Sequence, residues 1–497
     1  MVYNFYMGNI TAIVPFYTGP YFEKLIKYLS SSPFIERIFI LHNDLIFKRY
    51  PKSEILNGEN FQSTDTILKI LNSIQTDFFL FIIKPNITSF EAMALERLMI
   101  KTKDYGVAMV YSDFYDELCG QKFYHPLNDY QLGSVRDDFD FGSMILFSMS
   151  KVKCTLKEYG LLSDLRWGGL YDLRLKLSIR YSIIHINEPL YTVEEGEKTS
   201  FNEKLFSYVN PLNLKIQREM EGIFTDYLKR IGAYIPSQVL KKIEPSNEFF
   251  PVEASIIIPV KNRKETILDS INSALSQETN FPFNIIVIDN HSTDGTTNII
   301  SELSKKDSRL KHLIPKRKDL CIGGCWNEAL NSPYCGRFAI QLDSDDLYSN
   351  TNSLKKMVDK LREESFAMVV GSYTLVNSDL REIPPGLIEH REWTDENGHN
   401  NALRINGIGA PRGFHTSIMR KIGFLNVSYG EDYAAALRIS REFKIGRIYE
   451  NLYLCRRWPG NSDSNPSLED INQKNAFKDR IRTEEILSRQ KWNQGGL

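Results

Sequence analysis

The chain has 497 residues, and 61 Lys plus Arg against 62 Asp plus Glu leave a formal net charge of −1, without the basic excess of a general nucleic-acid binder. That length exceeds one ordinary hydrophobic core and calls for two or three domains. The six cysteines (Cys119, Cys154, Cys321, Cys325, Cys335, Cys455) form no CxxC pair, so they read as buried free thiols of a reducing compartment rather than as a zinc site. The opening MVYNFYMGNITAIVPFY has no basic leader, and no apolar run reaches the ~18 residues of a membrane span. A cytoplasmic chain without a signal peptide or membrane span is the expectation.

In chain order, ITAIV (10–14) predicts a short buried strand, closed by Pro15 and the turn residues Gly19 and Pro20. Phe22, Leu25, Ile26 and Leu29 then recur at helical spacing, and Arg37–Leu41 is a second strand, which makes a βαβ unit of a parallel sheet. Further strands are expected at Phe78–Ile83, 106–111, 182–186 and 190–193, with a helix through Glu91–Ile100. Residues 203–232 mix polar and apolar side chains in one or two helices, and a proline-bearing stretch follows.

The pattern then restarts. ASIIIPV (254–260) is a strand, ETILDSINSALSQ an amphipathic helix with Ile267, Leu268, Ile271, Ala274 and Leu275 on one face, and NIIVIDN the next strand. TAIVPFY parallels SIIIPVK, RIFILHN parallels NIIVIDN, FFLFIIKPN parallels FAIQLDSDD, VAMVYSD parallels AMVVGSY, and INEPLYTV parallels IYENLYLC. The shared order implies an internal duplication of about 200 residues. The division expected is 1–235 as one α/β domain, 236–253 as a linker, 254–460 as a second α/β domain and 461–497 as a polar extension with a helix over Leu468–Leu487.

The two halves differ where chemistry would sit. In FAIQLDSDDLY (338–348) a strand ends in Asp343, Asp345 and Asp346, like charges that repel unless a cation lies among them, and hard carboxylate oxygens suit Mg²⁺ or Mn²⁺. Three more pieces fall after strands or at helix starts, where open α/β sheets bind ligands. These are Pro259, Val260 and Asn262 in IPVKNR, Asp289 in VIDNHSTDGT, and Glu431 with Asp432 behind Gly430 in YGEDYAAALRIS. The first half has His42 in place of Asp289, and Ile83 and Pro85 in place of Asp343 and Asp345.

These pieces, in this order and spacing over about 200 residues, resemble the inverting family 2 glycosyltransferases. The resemblance implies two tandem GT-A-like domains, each a Rossmann-like, mostly parallel sheet, the first of them degenerate. It implies that Asp289 holds the nucleoside, Asp343 the ribose, Asp345 with Asp343 the metal, and that Asp432, with Glu431 in reserve, is the catalytic base. DLCIGGCWNEALN resembles the family's glycine-containing stretch, which adds Gly323 and Asn327 to the nucleotide-binding set, although Trp326 stands where arginine is usual. In YLCRRWPGNSD, Trp458 stands where non-processive members carry a metal-binding histidine, which leaves Arg456 or Arg457 to steady the diphosphate. Processive synthases have Gln-x-x-Arg-Trp there, but Leu454 replaces the glutamine.

The implied reaction moves a sugar from a nucleotide-sugar, UDP-linked by default, to a carbohydrate or other acceptor hydroxyl with inversion. A divalent cation would stabilise the departing diphosphate, and a carboxylate would take the hydroxyl proton. Two other readings compete: a catalytically dead tandem scaffold that binds carbohydrate or nucleotide, and a nucleotidyltransferase, which the glycine-poor IPVKNRKET disfavours. The first domain is left to bind acceptor, to hold a homo-oligomer together or to buttress the fold. The polar, aromatic loop 386–413 predicts an acceptor-binding lid, with His390, His399 and His415 as candidates to face the site.

Overall fold

The structure, a computed structural model, describes residues 9–42, 49–58, 62–194, 213–244, 247–363, 366–461 and 466–495. Contacts divide the chain into two compact units, one of 1–200, 215–232 and 467–483, the other of 201–214, 233–466 and 484–497. The C-terminal helix Leu468–Asn493 is thus shared between them. The expected helical stretch 203–232 forms Leu214–Arg230, while 203–212 lies outside the described residues. The proline-bearing stretch 236–253 is tied to the second unit, where Lys241 bridges Phe443 and its Nζ pairs with Glu442.

The described residues of the first unit hold a seven-stranded sheet. From edge to edge its strands are Ser182–Ile186, Val107–Ser112, Met144–Ser148, Phe78–Ile82, Ile10–Pro15, Ile35–Leu41 and Ser53–Leu56. A smaller sheet contains Ile87–Phe90, Tyr191–Glu194, Phe114–Leu118 and Gln121–His125. The larger sheet of the second unit runs Lys444–Arg456, Phe366–Val376, Arg412–His415, Phe338–Gln341, Ala254–Val260, Phe283–Asp289 and Leu310–Leu313, with Leu347–Tyr348 and Glu382–Ile388 added at one side. Strand order and direction coincide at all seven positions. The central strands, such as FFLFI and FNIIVID, are apolar runs buried along their whole length, as strands covered on both faces must be.

Along these seven strands both sheets are mostly parallel, as expected. In each, one antiparallel strand, Met144–Ser148 or Arg412–His415, is inserted beside the strand that precedes the acidic or apolar turn. An antiparallel neighbour begins at the edge where parallel strands end, so its first residue is delivered to the sheet's C-terminal edge. Helix burial departs from the expected face at Leu268, which is 43% exposed, while Ser270 is fully buried and donates its hydroxyl to the Asp346 carbonyl. The expectation of buried thiols holds for Cys325 and Cys335 but not for Cys119 and Cys154, which are exposed. Among the described residues no helix is long and apolar enough to cross a membrane.

One polar knot in the first unit makes its stability depend on pH. Asp113, 1% exposed, accepts from Tyr124 Oη (2.5 Å), Leu127 N (2.7 Å) and His185 Nε2 (2.7 Å), and His185 Nδ1 meets Asp129 (2.9 Å). Burial opposes charge on His185, but its hydrogen bonds to Asp113 and Asp129 outweigh that cost and raise its pKa above the ordinary 6.5. A raised imidazole pKa contributes stability that is fully present below the ordinary value and is lost as pH rises through the raised one. His185→Asn should therefore destabilise the chain more at about pH 5.5 than at about pH 9 in denaturant titrations. An equal loss at both would contradict the assignment.

Candidate active site

The site is assembled at the C-terminal edge of the second unit's sheet. Gln341, the last residue of its strand, donates its amide to both Asp343 oxygens (3.1 and 2.9 Å) and accepts the Arg412 backbone N–H at 3.2 Å. Arg412 Nη1 meets Asp432 Oδ2 at 2.5 Å, and its Nε donates to the Gly409 carbonyl at 2.7 Å. Burial works to lower the Arg412 pKa, but the charges of Asp432, Asp343 and Glu431 overcome it and raise the pKa. Burial likewise raises the Asp343 pKa against the opposing pull of Arg412 and Gln341. One guanidinium thus stands among three carboxyl groups drawn from two segments far apart in sequence.

Asp345 and Asp346 point to different surroundings. Asp345 Oδ2 accepts from Trp458 Nε1 and Asn461 Nδ2, both at 3.1 Å, and Arg263 Nε lies 3.9 Å away with its guanidinium 5.9 Å from the Trp458 ring centre. Asp346 is 5% exposed and accepts the Arg456 backbone N–H at 2.7 Å. Burial, then the charges of Asp345 and Asp343, hold its pKa well above the carboxylate range, so it serves the turn rather than a ligand.

The helix Glu431–Glu442 starts behind Gly430, whose φ of 80° is the left-handed conformation that favours glycine. Its first two acids diverge. The Asp432 side chain is 32% exposed, whereas Glu431 is 8% exposed and its Oε2 has no hydrogen-bond partner. Burial first, and the adjacent Asp432 charge second, push the Glu431 carboxyl up to about 8. Glu431 packs on Gly323, where an added Cβ would lie 1.8 Å from the Leu425 carbonyl and 3.1 Å from the Glu431 Cβ.

Several predicted contacts turn out to hold loops together. Asp289 has no exposed side-chain surface, and its oxygens accept from Ser292 N (3.0 Å), Thr297 Oγ1 (2.5 Å) and His312 Nε2 (3.3 Å), which hold its pKa low despite burial. A carboxylate so enclosed positions its turn and offers no surface to a base. Asn262, at φ 55°, accepts Thr293 N–H (2.8 Å) and donates its own N–H to Ser292. Pro259 and Val260 end the central strand beside Ile288 and Asp289. Asn327 exchanges hydrogen bonds with the Phe424 backbone, both at 2.9 Å, and Arg457 N donates to Val376 O at 2.7 Å. Trp326 packs against Phe414 and Phe424 in the core.

The loop 386–413 is packed rather than lid-like. His390 pairs with Glu392 (2.9 Å), His399 reaches the Ile235 carbonyl (2.7 Å), and His415 the Leu361 carbonyl (3.0 Å), so none of the three histidines faces the acids. Its contribution to the site is Arg412, which spacing alone did not single out; Gln341, Arg263 and Asn461, from other segments, were missed as well. The only hint in the sequence was a cation in the same glycine-bearing loop. Among the described residues no three His, Cys, Asp or Glu side chains gather to hold a metal by themselves. The donor set at the strand end, Asp343 and Asp345, supplies hard oxygens that would suit a divalent cation if a ligand such as diphosphate completed its coordination.

Comparison with known proteins bears on this geometry. The glycosyl transferase family 2 profile matches residues 255–423. An Escherichia coli protein, UDP-Glc:alpha-D-GlcNAc-diphosphoundecaprenol beta-1,3-glucosyltransferase WfaP, is 31% identical over 237 residues, covering 45% of this chain and 85% of its own length. The chain belongs to glycosyl transferase family 2. An uncharacterized glycosyltransferase of Rickettsia conorii is 26% identical over 309 residues (58% of this chain, 49% of the relative). The putative teichuronic acid biosynthesis glycosyltransferase TuaG of Bacillus subtilis is 31% identical over 125 residues (25% and 48%). The chain thus spans about half the length of these last two relatives.

The buried Glu431 carries a sign that can be measured. A carboxyl whose folded pKa is raised from 4.5 to about 8 stabilises the fold most at low pH and ceases to do so as pH rises through the raised value. Glu431→Gln keeps the neutral shape, so the variant should gain stability relative to wild type between about pH 5 and pH 9 in denaturant titrations. A difference that does not change with pH would show that Glu431 is ionised throughout.

Proposed function

We propose that the second unit transfers a sugar from a nucleotide-sugar to an acceptor hydroxyl with inversion, Asp432 acting as general base. The observation that carries this reading is the Arg412–Asp432 pair beside Asp343, because it sets a partly exposed carboxylate next to a cation and a second acid at the sheet edge. Glu431, buried and shifted up to about 8, is unsuited to take the proton of an acceptor hydroxyl near pH 7. Asp432 instead pairs with Arg412 and lies in the first turn of a helix, whose N-terminus favours negative charge.

Asp345, with Asp343, would hold the divalent cation, Mn²⁺ or Mg²⁺, whose charge stabilises the departing diphosphate. Arg263, beside Asp345, supplies a further positive charge from the chain itself. The Escherichia coli relative is named for a UDP-Glc donor, which makes UDP-glucose the first donor to try. The first unit, with its matching strand order, is read as a tandem copy that has lost the acids. All six cysteines are free, which fits a reducing compartment such as the cytoplasm. A binding-only reading draws on Asp345, whose Oδ2 is already taken up by Trp458 and Asn461.

Turnover separates the two. With UDP-glucose and a panel of acceptor saccharides, Asp432→Asn should cut the rate of UDP release by about 10²–10⁴-fold while UDP affinity stays within about threefold, and Asp345→Ala should weaken UDP binding itself. UDP binding without any release by wild type would favour the binding-only reading. Release by Asp432→Asn at the wild-type rate would remove Asp432 as the base.

A further inference from the structure

The strand register shows what the first unit has exchanged. Pairing Ile10 with Phe78 in one sheet and Ala254 with Phe338 in the other aligns Ile83 with Asp343 and Pro85 with Asp345. Pairing Phe78 with Ser148 and Phe338 with His415 aligns Ile145 with Arg412. The helices Gly169–Ser178 and Glu431–Glu442 both follow a glycine, in WGGLY and YGEDY, which sets Gly169 and Leu170 against Glu431 and Asp432. Every charge of the second unit's cluster is therefore apolar or absent in the first.

The first unit nevertheless carries a cavity of its own. It has a volume of about 900 Å³ and lies where the start of the helix Thr64–Ser73 meets the loop before Gly169, with Trp167, Arg166, Asp164, Asp65, Lys69 and Asn57 in its wall. The same two elements in the second unit bring Gly323 against Leu425 and Glu431. In the first unit Gly169 N donates to Gln62 O at 2.7 Å, and Thr64 N to Leu165 O at 3.0 Å.

The Trp167 loop is held rigid. Glu219, from the helix Leu214–Arg230, accepts three successive backbone N–H groups, those of Arg166 (3.0 Å), Trp167 (2.7 Å) and Gly168 (2.8 Å). Asp164 adopts φ 62°, a left-handed conformation that aspartate takes up more readily than most non-glycine residues. The wall combines a half-buried indole with exposed carboxylate, amide, ammonium and guanidinium groups. Two formal positive charges, Lys69 and Arg166, balance two negative ones, Asp65 and Asp164, so the wall has no net attraction for a diphosphate. A sugar ring matches this chemistry, with a C–H face for the indole and hydroxyls for polar groups that both donate and accept. The volume lies within the usual range of small-molecule sites.

We propose that this cavity is a non-catalytic binding site for a neutral oligosaccharide, with Trp167 as its stacking platform. The site would let the first unit hold a glycan without reacting with it, whether or not the second unit transfers sugar.

Isothermal titration of the full chain, without nucleotide, against short gluco-, manno- and N-acetylglucosamine oligosaccharides tests the proposal. At least one should bind, Trp167→Ala should weaken it by about tenfold or more, and Trp167→Phe should retain it within about threefold. Asp65→Ala, at an exposed position, should also weaken it and serves as the second variant should Trp167→Ala fail to match the wild-type melting curve. Binding of no oligosaccharide, or unchanged binding in both Trp167→Ala and Asp65→Ala, would overturn the proposal. So would a loss of UDP binding in Trp167→Ala with saccharide binding intact, since the cavity would then be a nucleotide site.

Discussion

The second unit depends on one cation placed where a sheet edge gathers negative charge. Asp343, Glu431 and Asp432 act together on Arg412, and none of these acids is far enough into solvent to be screened completely. Removing one partner of such a pair leaves the others uncompensated in a poorly hydrated place, and that costs more than the pair contributes. The fold answers with geometry: an antiparallel strand starts at the edge where the parallel strands stop, and Arg412 is its first residue. Gln341 then links the two strand ends through its own amide.

The same edge explains how the acids are set apart in function. Asp346 turns inward and accepts a backbone N–H, Asp345 faces Trp458, Asn461 and Arg263, and Asp343 is held by Gln341. Four residues of sequence thus carry three carboxyl groups in three environments. On the helix side, burial shifts Glu431 upwards while the adjacent Asp432 pairs with arginine, so two neighbouring acids meet different environments.

Much of this was legible from the chain alone, because alternating buried strands and helices and the strand–acid junction are local signals. The acid cluster and the Glu431–Asp432 pair could be found that way. Arg412 could not, since its place follows from the direction in which one short strand enters the sheet, a fact spread over 70 and more residues between Gln341 and Arg412. Asp289 was misleading for a related reason: a carboxylate at a strand end looks the same in sequence whether it faces a ligand or its own turn, and here Ser292, Thr297 and His312 claim it. His390, His399 and His415 looked available because they are polar, yet each already has a hydrogen-bond partner within the second unit. The first unit shows the converse, since it keeps the strand order of the second with Ile83, Pro85 and Ile145 where Asp343, Asp345 and Arg412 stand.

A double-mutant cycle between Arg412→Met and Asp432→Asn, read as denaturant stability, tests the role of Arg412 most directly. If Arg412 is what lets the acids coexist, its loss is less costly once Asp432 is neutral, with a coupling of about 0.5–3 kcal/mol. Additive losses would mean that the two side chains are neighbours without being partners, and the electrostatic account of the site would fail.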